Sequence, residues 1–204
     1  MPSNIDRRYW KKGLLICGVD EVGRGAIAGP VVAAAVVFPS FSYIKGIKDS
    51  KEISPSKREE FLIKIYEKAI DIQIGIVGPR IIEEINIRMS SFLAMRRAIY
   101  KLKLRTDFDV VLIDGYPPLW DDLNIVGIVK GDKKSFSISA ASIVAKVTRD
   151  RLMRMYHKVY PDFGWITNVG YPTPFHKHAI RWFGVSPIHR RTFKPVFDVI
   201  NEEH

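Results

Sequence analysis

Four acidic residues stand where chemistry could be done: Asp20 and Glu21 directly after the apolar run Leu14 to Val19, Asp114 after Val110 to Ile113, and Asp132 just after Ile125 to Val129. Taken singly, each could cap a turn or the start of a helix. Taken together they ask for more. Carboxylates at the ends of neighbouring strands would crowd within a few ångströms, and like charges so placed need a cation to remain ionised together. The candidate ligands are oxygens and no Cys/His cluster accompanies them, which points to a hard divalent ion, Mg²⁺ or Mn²⁺, rather than zinc. The segment Asp20-Glu21-Val22-Gly23-Arg24-Gly25 compresses two acids, a base and two glycines into one strand exit. Glycines let a backbone approach a ligand closely and present its N–H groups, while Arg24 offers a planar fork for phosphate. Such a loop could feel a sugar 2′-hydroxyl through main-chain atoms.

The elements that must position these groups follow from hydrophobic periodicity. Leu14 to Asp20 and Val31 to Phe38 read as buried strands, linked through a tight turn at Gly23, Gly25 and Gly29. Ser54-Pro55 opens a capped amphipathic helix to Ile70, and Ile72 to Val77 alternates as a third strand. Pro79 to Lys103 carries helical spacing at Ile82, Ile85, Met89, Phe92, Met95 and Ile99. Val110 to Ile113 and Ile125 to Val129 supply the fourth and fifth strands. A long helix follows from about Ser135 to Val159, with Ala140, Ala141 and Ala145 suited to close packing. From Pro161 onward, with a helix-like Phe175 to Phe183, the chain reads as a small addition laid across the main body.

Composition narrows the class. Lys plus Arg number 32 against 22 Asp plus Glu, a formal net charge of +10, which suits a polyanionic partner such as nucleic acid. The single Cys17 cannot form an intrachain disulfide and reads as a buried strand thiol in a reducing cytoplasm. The basic N-terminus is followed by only six apolar residues, too few for a secretory core. The longest weakly polar stretch, Ala26 to Phe38, is broken by Gly29 and Pro30 and is shorter than the roughly 20 residues that span a bilayer. A cytoplasmic protein with no membrane partner is the expectation. His176, His178 and His189 lack a metal-ligand spacing and read as surface or phosphate-adjacent residues. Lys146, Arg149 and Arg151 read by default as the solvated face of a helix. Asp150 is expected to pair with a neighbouring base, and Asp121-Asp122 to lie in a polar loop.

Asp20-Glu21-Val22-Gly23-Arg24-Gly25 followed by Ala28-Gly29-Pro30-Val31-Val32 resembles the opening signature of type 2 ribonucleases H, the ribonuclease HII family. Lys48-Asp49-Ser50-Lys51, Ile113-Asp114-Gly115, Lys130-Gly131-Asp132, the run Ser139 to Asp150 and Gly170-Tyr171-Pro172-Thr173 resemble that family's later blocks, in its order. The resemblance spans roughly residues 14 to 193. It implies an α/β fold: a ribonuclease-H-like mixed five-stranded sheet flanked by helices, with a catalytic domain over residues 1–160 and a C-terminal helical extension over 161–204 packed on it. It also implies roles. Asp20, Glu21, Asp114 and Asp132 would be an acidic quartet holding two divalent ions. Gly23, Arg24 and Gly25 would contact the ribonucleotide, Tyr171 would stack on the sugar beyond the junction, and Lys48, Ser50, Lys51, Ser139, Ser142 and Lys146 would hold the backbone. The substrates would be RNA/DNA hybrid and ribonucleotide-containing duplex DNA, acted on by a monomer with no evident tail for a sliding clamp. Pro172 departs from the glycine that family most often has there and stiffens the turn. A type 3 ribonuclease H is the nearest rival, but that family resembles this one with lysine where Arg24 stands. A resolvase-like nuclease would share the acids without the glycine loop, and a non-enzymatic binder would leave the acids unexplained.

Overall fold

The computed structural model describes residues 4–47, 53–118 and 120–202. The apolar runs fold as β1 (Ile16–Val22), β2 (Val31–Val37), β3 (Asp71–Val77), β4 (Val110–Asp114) and β5 (Ile125–Ile128), in one sheet of order β3-β2-β1-β4-β5. β2 lies antiparallel to both β1 and β3, while β4 lies parallel to β1 and to β5. The sheet is therefore mixed and five-stranded, as expected.

Successive strand residues point to opposite faces, so each strand feeds two cores. Ile16, Ala34, Val36, Val110 and Leu112 face α5 (Phe136–Val159) and α2 (Pro55–Lys68). Cys17, Val19, Ala33, Ala35, Val111 and Ile113 face α3 (Pro79–Lys103). Helices on both sides explain why β2 is buried at every position and carries no polar alternation. The strands are notched to let the helices in. A Cβ on Gly18 would land on the Ser137 main chain of α5, and one on Gly75 on the Ala94 carbonyl of α3.

Three features were not expected. A short helix, α1 (Asn4–Trp10), carries the fully buried Asp6, whose carboxylate accepts from the Ser135 hydroxyl at 3.1 Å and from the Phe136 and Ser137 N–H groups at 2.9 and 3.1 Å. That is a charged cap on α5 supplied from the other end of the chain, with the sign the helix dipole favours. α3 is not one continuous helix: Asn86 has φ 63° and breaks it, its side chain accepting from the N–H groups of Arg88 and Met89. With ψ at 167° this is a backbone region that is essentially glycine's, and the strained Asn caps the turn that follows it through those two bonds. Lastly, a one-turn helix α4 (Gly131–Lys134) fills the step between β5 and α5.

After α5, a 3₁₀ turn (Pro161–Phe163), α6 (Trp165–Asn168), α7 (Pro174–Phe183) and α8 (Val196–Glu202) gather around Ile27, Ala28 and Met153 in a third core. Among the described residues no helix is long and apolar enough to cross a membrane.

The notch at Gly75 can be tested. Gly75→Ala is expected to lower stability by about 1–3 kcal/mol through overpacking. Gly78→Ser, at the open N-cap of α3, should change it by only a few tenths of a kcal/mol. Urea titrations of the two variants measure the contrast.

Candidate active site

Parallel pairing of β1 with β4, in the register Val19 against Ile113, sets the next residues of each strand, Asp20 and Asp114, abreast at the C-terminal side of these two interior strands. β5 pairs with β4 in the register Ile128 against Asp114, so the chain returns past Asp114 as it leaves the sheet, and the Gly131 N–H donates to Asp114 Oδ1 at 2.6 Å. Asp20, Glu21 and Asp114 share a cleft of about 520 Å³ with Gly23, Arg24, Gly25, Ser142, Lys146 and Tyr171. Glu21, Arg24 and Asp114 also border a second cleft of about 370 Å³ on the α3 side, beside Arg88 and Tyr116.

The expected quartet is thus gathered in part. Asp132 is buried in α4, one residue beyond the Gly131 that holds Asp114, and does not line the larger cleft. Ser139 is likewise buried away from it, its hydroxyl directed to the carbonyls of Ser135 and Asp132. Lys48, Ser50 and Lys51 lie outside the described residues. Lys146 reaches the cleft while its ammonium contacts Asp150 at 2.8 Å, and Asp150 also faces Arg58 at 3.8 Å, the pairing with bases that the sequence suggests. Asp121 and Asp122 lie in an exposed turn.

Burial first, and then the charges of Glu21 and Asp114, push the Asp20 carboxyl well above the usual range, against hydrogen bonds from Ser142 and from the Glu21 N–H at 2.8 Å. Burial also raises Glu21; Arg24 opposes the rise from 3.3 Å away and Asp114 adds to it. Among the described residues no three acidic, cysteine or histidine side chains converge closely enough to hold a metal ion as they stand. The donor set nevertheless fits a hard cation: it is all oxygen, and a positive ion would offset both the burial and the repulsion that lift the two carboxyls. Glu21, now turned to Arg24, would have to swing inward.

The glycine loop rests on two buried arginines, and here the sequence reading is corrected. Arg149 is not on a solvated helix face; it is fully buried, donating to the carbonyls of Pro30 at 2.9 Å, Val169 at 2.7 Å and Ala28 at 3.0 Å. Arg190, also fully buried, donates to Gly29 and Arg24 carbonyls at 3.0 Å each. Gly23, at φ 95°, must lack a side chain because a Cβ would collide with Arg149. Arg151 does lie on the exposed face, paired with Glu59. The Tyr171 ring sits 5.4 Å from the Arg149 guanidinium and 5.8 Å from the Lys146 ammonium. His176 and His189, expected at the surface, are buried and in contact with each other, whereas His178 is exposed. Sequence reasoning passed over Asp6 and Arg190. Ser142, Lys146, Arg149 and Met153 do follow a 4-3-4 spacing along one stripe of α5, a signal that Arg149 faces inward.

The ribonuclease HII family profile matches residues 17–196. The chain is 48% identical over 202 residues to ribonuclease HII of Bacillus cytotoxicus, covering 98% of this chain and 77% of that one. It is 44% identical over 195 residues to ribonuclease HII of Aquifex aeolicus, covering 95% and 96%. Its fold matches the crystal structure of ribonuclease H2 from Pyrococcus horikoshii OT3 with a TM-score of 0.77, 29% identity and coverage of 93% and 98%.

Asp20→Asn should stabilise the metal-free protein. A carboxyl whose folded pKa is raised stabilises the fold while protonated and loses that contribution as pH rises through the folded value. The gain of the variant over wild type is therefore largest at neutral pH and fades toward about pH 4, the ordinary carboxylate range. A Tm rise of a few degrees is expected in chelator, about 2–4 °C per kcal/mol at this chain length. Excess Mn²⁺ should then stabilise wild type and not the variant. Melts from pH 4 to pH 8 that differ by the same amount throughout would contradict this origin of the strain.

Proposed function

Since the chain belongs to the ribonuclease HII family, we propose that it cleaves the RNA strand of RNA/DNA hybrids and also cuts duplex DNA on the 5′ side of a single embedded ribonucleotide, by two-metal-ion catalysis leaving 3′-hydroxyl and 5′-phosphate ends. Metal-dependent ribonuclease H hydrolysis comes with the family; junction cutting and two-ion chemistry are the finer reading. The observation that carries it is one cleft in which Asp20, Glu21 and Asp114 meet Gly23, Arg24, Gly25 and Tyr171.

Asp20, Glu21 and Asp114, with Asp132 beside them, would hold two divalent ions, Mg²⁺ or Mn²⁺. When bound, these activate water and stabilise the leaving 3′-oxygen during in-line displacement at phosphorus. Ser142 and the Gly131 N–H orient the carboxylates of Asp20 and Asp114. Arg24 is mostly exposed and its pairing with Glu21 is of the weak surface kind, so a substrate phosphate can take its place. That exchange would free Glu21 for the metal as the substrate docks.

A 2′-hydroxyl is the one chemical mark of a ribonucleotide in DNA. Main-chain atoms of Gly23 to Gly25 would read it. The bare face of Gly25 keeps the approach open: the nearest atom to a Cβ there would be Tyr171 Cε1, at 3.9 Å. Tyr171 would stack on the adjoining sugar, its ring backed by the Lys146 and Arg149 cations. Lys48, Ser50 and Lys51 would add backbone contacts. Residues 1–160 and 161–204 would work as one domain, because Ile27 and Ala28, which flank the loop, pack in the same core as α7 and α8. The setting would be ribonucleotide removal from DNA in the cytoplasm.

The test is incubation with labelled duplexes bearing no, one or four ribonucleotides, with and without Mg²⁺ or Mn²⁺. Wild type should cut 5′ of the single ribonucleotide, leave all-DNA untouched and stop in chelator, while Asp20→Asn and Asp114→Asn lose cleavage but stay folded. Tyr171→Ala should weaken the single-ribonucleotide reaction by about tenfold, the effect of losing about 1.4 kcal/mol of contact, and Tyr171→Phe far less, because Phe keeps the ring face that packs on the sugar. Cleavage only of duplexes with several consecutive ribonucleotides would overturn junction recognition.

A further inference from the structure

Behind Tyr171 lies a chain of hydrogen bonds that the reaction chemistry does not use. Both Ser186 N–H, at 2.9 Å, and Ser186 Oγ, at 2.8 Å, point at His189 Nδ1. His189 Nε2 stands 3.0 Å from His176 Nε2, which also receives the Trp165 Nε1–H at 3.0 Å. His176 Nδ1 stands 2.9 Å from the Tyr171 carbonyl oxygen.

These contacts fix both tautomers. An N–H donor on His189 Nδ1 makes that nitrogen an acceptor, so the His189 proton sits on Nε2. It must then be donated to His176 Nε2, which the Trp165 N–H independently requires to be an acceptor. The His176 proton is left on Nδ1, aimed at a carbonyl that can only accept. The bonds therefore run in one direction, from Ser186 through His189 and His176 to Tyr171. A second proton on either ring would set two N–H groups against each other. Burial holds both imidazoles below their ordinary range, His189 at about 3 with His176 adding to the effect, so both rings stay neutral near pH 7.

The same pair is tied to the glycine loop. His189 bridges Ala28, the Arg190 N–H donates to Ile27 O at 2.8 Å, and the Arg190 guanidinium holds the Arg24 and Gly29 carbonyls. On the other side the Ile27 N–H donates to the carbonyl of Gly170, the residue before Tyr171. We propose that His176 and His189 form a positioning pair that fixes Tyr171 at a set distance from Gly23-Arg24-Gly25, and so tune recognition of a single ribonucleotide without touching it. This rests on the role given above to Tyr171.

Two measurements test it. In the native protein, long-range ¹⁵N–¹H correlation of the imidazoles between pH 5 and pH 8 should show His176 protonated on Nδ1 and His189 on Nε2, neither titrating. The opposite tautomer of either ring overturns the proposal. In cleavage of the single-ribonucleotide duplex, His176→Phe keeps the ring but removes the donor, and should lower kcat/KM by about tenfold to a hundredfold, the scale of a small misplacement. His176→Asn retains a donor where Nδ1 stood and should recover most of that loss. In a Tyr171→Ala background His176→Phe should change the rate by less than about twofold, because a group acting through Tyr171 has nothing left to position. Equal losses in both backgrounds, with wild type active, overturn the histidine pair alone. A wild type unable to cut that duplex removes the role of Tyr171 and the pair together.

Discussion

The site depends on one guanidinium more than on any carboxylate. Arg149 reaches out of α5 between two stretches distant in sequence and satisfies three carbonyls that otherwise would face one another across a buried gap: Ala28 and Pro30 behind the glycine loop, and Val169 before Tyr171. Burying a cation without a carboxylate bonded to it is costly, and charge-assisted hydrogen bonds of about 1.5–3 kcal/mol each offset that cost only if the carbonyls stay in place. The loop is thereby held to one conformation. Its glycines follow from the same constraint, since side chains on Gly23 and Gly29 would strike Arg149 and Met153. Arg190 adds a second cation close behind, and burial together with Arg149 lowers it to about 9. Two like charges in one core are tolerable because five main-chain carbonyls, those of Arg24, Ala28, Gly29, Pro30 and Val169, are directed at them.

A strongly basic protein with an acidic cleft works on two length scales. At long range the net charge of +10 draws a polyanion in and releases its counterions, with no sequence preference. At short range the Asp20, Glu21 and Asp114 wall would repel a phosphate, and burial, with repulsion among the carboxyls added, already lifts two of them. Only a bound cation reconciles the two, turning a wall that rejects phosphate into one that grips it. The geometry that creates the problem is the parallel β1–β4 pairing, which places like charges abreast.

The strands and the three cleft acids were legible because a buried parallel strand is a short apolar run, and an acid that interrupts its end stands out. Asp20 and Asp114 needed nothing beyond that pattern. Arg149 was not legible as an anchor, because a charge in a helix is solvated by default and only the stripe it shares with Ser142 and Met153 says otherwise. His176 and His189 were misread for a related reason: each lacks a ligand partner nearby in sequence, and what buries them is contact with each other and with Phe163 and Trp165, which no periodicity records. Asp6 caps a helix that starts some 130 residues later, a tertiary relation without a local trace. The break at Asn86 does have one, an Asn within a helical run, but the surrounding apolar spacing continues in phase and conceals it.

These misreadings share a cause, and it bears on how a single hydroxyl can be recognised. A hydrogen bond to a 2′-oxygen weakens steeply within a few tenths of an ångström or some tens of degrees, so the reading atoms must be more rigid than an exposed loop permits. If the glycine loop reads a ribose as proposed, side chains at its tip cannot provide this, because they would fill the space the sugar would take. The rigidity has to come from behind, from groups that bond the loop's own carbonyls: Arg149 and Arg190 under Gly23 to Pro30, His176 under Tyr171. Such groups are polar yet buried, each directing hydrogen bonds to main-chain carbonyls, which is why residue type alone assigns them to the surface. A polar residue in the third core of this protein is therefore better read by asking which main-chain group it immobilises than by asking which ligand it could bind.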